Sequence, residues 1–325
     1  MGIILYCFGL AVGLLLQPFW FKTKTYYEDG NKQNKRIKGG ALIITNHRSF
    51  LDGIVIIIRF FFKRLYFIAA DYYKGRLKIF KRVMRSLGGI FVDKDAHNMD
   101  FIEKSKRVTA KGKAIMIFPE GDYKFTYEPS KFAPGYIMLA VKTGAKIVPI
   151  VNDFNYGLFK RVHLMVGNSI DLSVYSGAEL SLDKLNEIND EINGKFLTLF
   201  YKLKRKKSER FSNKFEFNAP NTGDVIRVFV GSHHHYGVYL NAGEVIQFGH
   251  AVNIVGENVS VNSVPLKEFC GSKIPEVRVL KRSERRFKRN PCDIERYAKS
   301  CLGHGGYSID NNNCLDFANR MTLKI

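Results

Sequence analysis

The sequence predicts an α/β N-terminal domain with a mostly parallel sheet, followed by a smaller α+β domain. Three observations carry this expectation. Between residues 40 and 210, short runs rich in Ile and Val alternate with stretches of helical period, the pattern of strand–helix–strand units. From Thr222 onward the texture changes to short β-type runs, DVIRVFV, HYGVYL, EVIQFG and AVNIV, separated by Gly- or Asn-containing turns. A charged helical stretch, 181–210, ends in KLKRKKSER between the two. A chain of 325 residues accommodates two domains at about 150 residues each.

The elements follow in order. GIILYCFGLAVGLLLQPFWF, residues 2–21, contains no charged residue and is followed by Lys22 and Lys24. A run of about 20 apolar residues is long enough to cross a bilayer, and Trp20 and Phe21 suit the headgroup level. Pro18 and three glycines equally allow a re-entrant or interfacial insertion. Residues 1–24 are therefore expected to be a membrane anchor, spanning or shallow. The flanking lysines put the rest of the chain on the cytoplasmic side. NKQNKRIKGG reads as a linker. Strands are expected at 41–45, 65–69, 89–92, 114–118 and 146–151, with helices at 50–62, 77–87, 99–111 and 135–142. Two more helices are expected near the C-terminus, at 293–302 and 313–321. The domains so defined are 40–212 and 220–325.

Formal charge is +21 and the isoelectric point near 9.7, which favours an anionic partner. With an apolar N-terminus in place, an anionic lipid surface accounts for the basic runs 202–210 and 281–289 at about 1 kcal/mol per residue; the simpler reading is a pair of solvated faces. No nucleic-acid partner is expected. Five cysteines at irregular spacing, with no CxxC pair, argue against a disulfide framework.

TNHRSFLDG, residues 45–53, sits between two apolar runs. His47 and Asp52, five residues apart, point away from each other on a continuous helix. They meet only if His47 lies in the turn before a helix and Asp52 in its first turn, with Asn46 or Ser49 as cap. A His held by a carboxylate has a fixed tautomer and a stabilised imidazolium, as a general base requires. The plainer reading is a cap and a surface Asp. Downstream stand GGIFVDK (88–94), FPEGDYK (118–124), KFAPG (131–135) and IVPIV (147–151). In this order the blocks resemble the PlsC-like glycerolipid acyltransferases over roughly residues 40–200. The resemblance implies His47 as base, Asp52 as its orienter, Glu120 and Gly121 at the acceptor site, and Lys94 or Lys124 as phosphate contacts. It implies acyl-CoA or acyl carrier protein as donor, with no bound cofactor. Where that family has Thr or Ser and then Arg after Phe-Pro-Glu-Gly, this chain has Asp122-Tyr123. A carboxylate facing the site would repel a phosphate monoester, which favours an acceptor with a larger headgroup or none.

The second constellation is SHHHYGVYLNAGEVIQFG (232–249) with GYSIDNNNCLDFANRM (306–321). Adjacent strand residues point to opposite faces, so three consecutive histidines do not make a metal site, and none is expected. Surface histidines and a core cysteine are the bland reading. Against it, Cys314 at a helix N-terminus would have its thiolate favoured, and a strand His could serve as its base. The set resembles the lecithin:retinol acyltransferase-like family, a permuted papain-like fold, from about 220 to 321. The resemblance implies His235 as base, Cys314 as nucleophile and Gln247 where the family commonly has a second His. A Gln can orient an imidazole but cannot stabilise its cation as a charge would.

Together these readings describe a membrane-associated acyltransferase with a second, thiol-dependent phospholipid deacylase or acyltransferase module. The alternatives for that module are a non-catalytic lipid-binding domain and a cysteine peptidase or amidase.

Overall fold

The computed structural model describes residues 2–20, 22–30, 35–70, 78–92, 100–121, 128–250 and 259–325. It contains two compact units, Met1–Leu203 and Lys204–Ile325. The expected strand AVNIV (251–255) lies outside the described residues, as do Lys94 and Lys124.

The first unit opens with α1 (Gly2–Trp20) and β1 (Lys22–Tyr27), then β2 (Ala41–Thr45), α2 (Leu51–Arg59), β3 (Leu65–Ala70), α3 (Lys78–Ser86) and β4 (Gly89–Val92). It continues through α4 (Asp100–Ala110), β5 (Ala114–Ile117), α5 (Gly135–Thr143), β6 (Lys146–Asn152), β7 (Arg161–Val166) and α6 (Leu182–Ser208), whose last turns run into the second unit. Seven strands form one sheet in the order β1-β7-β6-β2-β5-β3-β4. All neighbours are parallel except β6 and β7. Parallel strands joined by helices are covered on both faces, and β2 shows it. Leu42 and Ile44 pack into one apolar layer with Ile137 and Leu199, while Ala41 and Ile43 pack into the other with Val55 and Ile56.

In the first unit two strands escaped the sequence reading, as did three in the second, at Phe215–Glu216, Val261–Pro265 and Glu276–Arg278. β1, KTKTYY, exposes Lys22 and Lys24 and turns Thr23 and Thr25 inward, so its charges mask a period-2 strand. β7, RVHLMV, is buried over five consecutive residues despite its histidine. The helix expected to reach residue 62 stops at Arg59: Phe60 breaks from helical geometry and is fully buried, leaving Phe61 and Phe62 exposed.

In α1, Tyr6 is buried and Leu14 packs into the layer that holds Ile56. Ile4, Phe8, Val12, Leu15, Leu16 and Phe19 are exposed at a spacing that makes one stripe. Among the described residues no helix is long and apolar enough to cross a membrane.

The second unit contains β8 (Phe215–Glu216), β9 (Asp224–Phe229), β10 (His234–Tyr239), β11 (Glu244–Phe248), β12 (Val261–Pro265), α7 (Leu266–Cys270), β13 (Glu276–Arg278), α8 (Pro291–Ser300) and α9 (Cys314–Thr322). Its six strands are antiparallel throughout, ordered β12-β11-β10-β9-β13-β8. Ile226, Val228, Val245, Val264, Phe269 and Val277 form the core on one face of this sheet. Asn290 caps α8 and Asn313 caps α9, the latter in a reciprocal capping box with Asp316. The basic run at 202–210 is not simply a solvated face. Lys207 is 4% exposed, Lys204 donates to the Ile325 carbonyl, and Arg210 lies over the Phe211 and Phe287 rings. Long basic side chains cover apolar surface with their stems, and packing takes up part of the charge expected at a lipid surface.

Candidate functional site

In the first unit the chain leaves β2 at Thr45 and turns through 46–50 before α2 begins. His47 lies in that turn and Asp52 is the second residue of α2. The imidazole Nδ1 stands 3.0 Å from Asp52 Oδ2. The same oxygen accepts the backbone N–H groups of Arg48 and Ser49 at 2.7 and 2.8 Å, so the carboxylate itself organises the helix start. Ser49 Oγ accepts the Leu51 N–H. Asn46 does not cap: its amide pairs with the backbone of Asn152, accepting N–H and donating to C=O at 2.9 Å each. The His47 ring stacks on Phe118, centroids 3.7 Å apart.

Glu120 Oε1 accepts the His47 backbone N–H at 3.0 Å, and Oε2 accepts the Ser130 N–H at 3.1 Å. Burial raises its pKa above the usual carboxylate value, against the pull of those two N–H groups. Gly121 has φ +83°, in the left-handed region that glycine occupies without strain. The residues that sequence reasoning missed are Phe118, Asn152 and Tyr156, whose hydroxyl donates to Asp52 Oδ1. Phe118 opens the quoted block FPEGDYK and Asn152 follows IVPIV, but nothing in the sequence marks Tyr156, which reaches Asp52 across 104 positions.

In the second unit His235 and Gln247 are buried on one sheet face, with His235 Nε2 2.7 Å from Gln247 Oε1. The amide oxygen can only accept, so Nε2 carries the proton and Nδ1 the lone pair. Gln247 donates in turn to Asn262 at 3.0 Å, and its Nε2 stands 3.4 Å from His250 Nδ1. Burial pushes the His235 pKa down to about 4, so the ring is neutral at physiological pH. Its Nδ1 is buried and has no hydrogen-bond partner among the described residues. Cys314, first residue of α9, is also buried. Here the helix-terminus expectation is corrected. Burial raises the thiol pKa, outweighing the Tyr236 backbone N–H and Tyr307 hydroxyl that favour the thiolate. His233 and His234 lie beside His235 without joining it, and no three His, Cys, Asp or Glu side chains converge among the described residues.

Residues 27–153 match the family model described as Acyltransferase, and residues 218–323 match that of Lecithin retinol acyltransferase. These are an acyltransferase domain and a lecithin retinol acyltransferase (LRAT) domain. A curated relative, the 1-acyl-sn-glycerol-3-phosphate acyltransferase of Borreliella burgdorferi, is 25% identical over 156 residues, 47% of this chain. The chain spans 61% of that relative's length. Among solved structures, the 1-acyl-sn-glycerophosphate acyltransferase PlsC from Thermotoga maritima aligns with TM-score 0.41 and 21% identity. That alignment covers 66% of this chain and 81% of the other. The acyltransferase match holds His47, Asp52, Glu120 and Gly121, and the LRAT match holds His235, Gln247 and Cys314.

Proposed function

We propose that the acyltransferase domain moves an acyl group from a thioester, acyl-CoA or acyl carrier protein, to a hydroxyl of a glycerolipid. The observation that carries this reading is the His47 Nδ1–Asp52 Oδ2 contact of 3.0 Å, because it sets the imidazole with Nε2 as its basic nitrogen. His47 Nε2 takes the acceptor hydroxyl proton, and the oxygen attacks the thioester carbonyl. The tetrahedral adduct collapses, the C–S bond breaks, and the leaving thiolate receives the proton from the imidazolium. Asp52 holds the ring and balances its transient charge. Glu120, clamped to two backbone N–H groups, shapes the turn that carries the base. Lys94 and Lys124 are proposed as phosphate contacts of donor or acceptor, and Gly121 as a place where substrate passes close to backbone.

In the LRAT domain, a permuted papain-like arrangement would use Cys314 to take an acyl chain from a phospholipid ester as the ester C–O bond breaks, the thiol proton passing by way of His235 to the released lysophospholipid oxygen and Gln247 fixing the tautomer. His235 Nδ1 makes no hydrogen bond to the thiol in the structure. Both groups rest neutral in the folded state, so such a thiol is activated only as substrate engages. The lone Nδ1 of His235 favours a second reading, in which this domain binds lipid without turning it over.

We read α1 as the membrane contact. With one side packed on its own domain and a stripe of exposed apolar side chains on the other, it suits a position in the plane of the lipid interface. The deciding experiment is labelled acyl transfer from acyl-CoA to a panel of lysophospholipids by wild type, His47→Ala and Cys314→Ala. Loss in His47→Ala alone supports the assignment; transfer that survives His47→Ala and vanishes in Cys314→Ala overturns it.

A further inference from the structure

We propose that Tyr156 is a positioning residue of the acyl-transfer site, acting on His47 through Asp52. The inference rests on the reading of His47 as base. Asp52 is fully buried, and its two oxygens have different partners. Oδ2 takes the imidazole and two backbone N–H groups, and Oδ1 takes the Tyr156 hydroxyl. That hydroxyl is itself directed, because Asn152 Nδ2 donates to it at 2.5 Å, leaving its proton for the carboxylate. Asn152 also pairs with Asn46, one residue before the base. A circuit therefore runs through side chains from His47 to Asp52, Tyr156 and Asn152, then from the Asn152 backbone to the Asn46 side chain, and closes along the chain to His47.

The loop that delivers Tyr156 is held in a conformation its residues do not prefer. Phe154 and Phe159 have φ of 57° and 59°, and among the described residues they are the non-glycine positions with positive φ. Such geometry is costly for a bulky residue and persists where the surroundings fix it. Here Phe154 N–H donates to Asn152 Oδ1 and its ring lies 4.6 Å from the Arg48 guanidinium. Asp153 anchors the loop on β7 by accepting both the backbone N–H and Nδ1 of His163, at 3.0 and 2.9 Å. A loop needed only to join β6 to β7 has no use for this arrangement; one that must hold a phenol against a buried carboxylate does.

Without the phenol, the Asp52 charge concentrates on Oδ2 and binds imidazolium more strongly. With a more acidic phenol it is drawn toward Oδ1. The test uses the full chain, radiolabelled oleoyl-CoA, and lysophosphatidate and lysophosphatidylcholine as acceptors. Wild type, Tyr156→Phe and His47→Ala are compared with protein carrying fluorotyrosine at position 156. Tyr156→Phe is expected to lower kcat about 10- to 100-fold, with KM for both substrates within about twofold. Its acidic limb of kcat/KM should move to higher pH, and that of the fluorotyrosine protein to lower pH. Limbs that coincide with wild type, or a Tyr156→Phe loss confined to KM, would overturn the proposal. If Tyr156→Phe does not fold, the isosteric fluorotyrosine protein decides by its pH profile alone. Full activity in His47→Ala would sink the underlying reading; an inactive His47→Ala beside an unaltered Tyr156→Phe sinks only the inference.

Discussion

Glu120 holds the backbone of His47: its carboxylate accepts the His47 N–H at 3.0 Å while its other oxygen takes the Ser130 N–H. The acidic residue of the Phe-Pro-Glu-Gly block is thus tied to the turn that carries His47. Glu120→Ala leaves both donors without this acceptor and should cost about 1–3 kcal/mol in urea unfolding. The folded-state pKa lies above the usual glutamate value, so the folded protein holds this proton more tightly than the unfolded chain. The stability it confers is complete below the usual value and is lost as pH rises through the raised one. Glu120→Gln should flatten that slope relative to wild type.

Asp52→Asn keeps the size of the side chain but not the charge. Acyl transfer should fall by about 10²- to 10⁴-fold in kcat, read from initial rates at saturating substrate. A loss smaller than tenfold would mean that Asp52 serves the helix start and not the imidazole.

For the LRAT domain the raised thiol pKa makes a direct prediction. Alkylation of Cys314 by iodoacetamide, followed by mass spectrometry, should be slow at neutral pH and accelerate only above the ordinary thiol range. In Gln247→Glu a carboxylate faces His235, raises the imidazole pKa and should bring faster labelling at neutral pH. Equal rates in the two proteins would separate His235 from the chemistry of Cys314.

Gly237 lies on β10 where an added Cβ would stand 2.5 Å from Val245 Cγ1 and 2.9 Å from Phe269 Cε2. Gly237→Ala should destabilise the second unit by about 1–3 kcal/mol in thermal or urea unfolding. Because Phe269 also packs near His235, ring centroids 5.4 Å apart, the variant should displace the His235 imidazole resonances by NMR.

The exposed stripe of α1 is testable with vesicles. Phe8→Ser combined with Leu15→Ser removes two large side chains that are 67% and 74% exposed. At about 1.5–3 kcal/mol for each side chain buried in lipid, co-sedimentation with phosphatidylglycerol vesicles should weaken by at least tenfold. Unchanged binding would assign the attachment to charge alone.

Much of the first unit was legible because its parallel strands are buried on both faces and read as unbroken apolar runs between helices. β1 was not, since its two lysines hide an edge strand. The His47–Asp52 encounter was legible as a condition on local geometry, a turn followed at once by a helix, and the chain meets that condition. Tyr156 was not, because contacts over 104 positions leave no local pattern. In the second unit His235 and Gln247 were found through the family motif; in the hairpin Gln247 pairs with Gly237, two residues from His235 and on the same face. The pKa of Cys314 was misjudged because a helix N-terminus can be recognised in sequence, whereas burial of the residue standing there cannot.

The side chain of Asn46 has the bonding capacity of a peptide group, one donor face and one acceptor, and it uses both on Asn152 just beyond the last β2–β6 rung, Thr45 with Ile150. The backbone can therefore swing out of the sheet toward His47 while the ladder gains one more step without it. Aspartate in its place has nearly the same outline but no N–H, and it carries a charge at a position only 2% exposed. The hydrolysis of that single amide would remove the donor and set a charge at a buried position beside the turn, with His47 and Asp52 chemically intact.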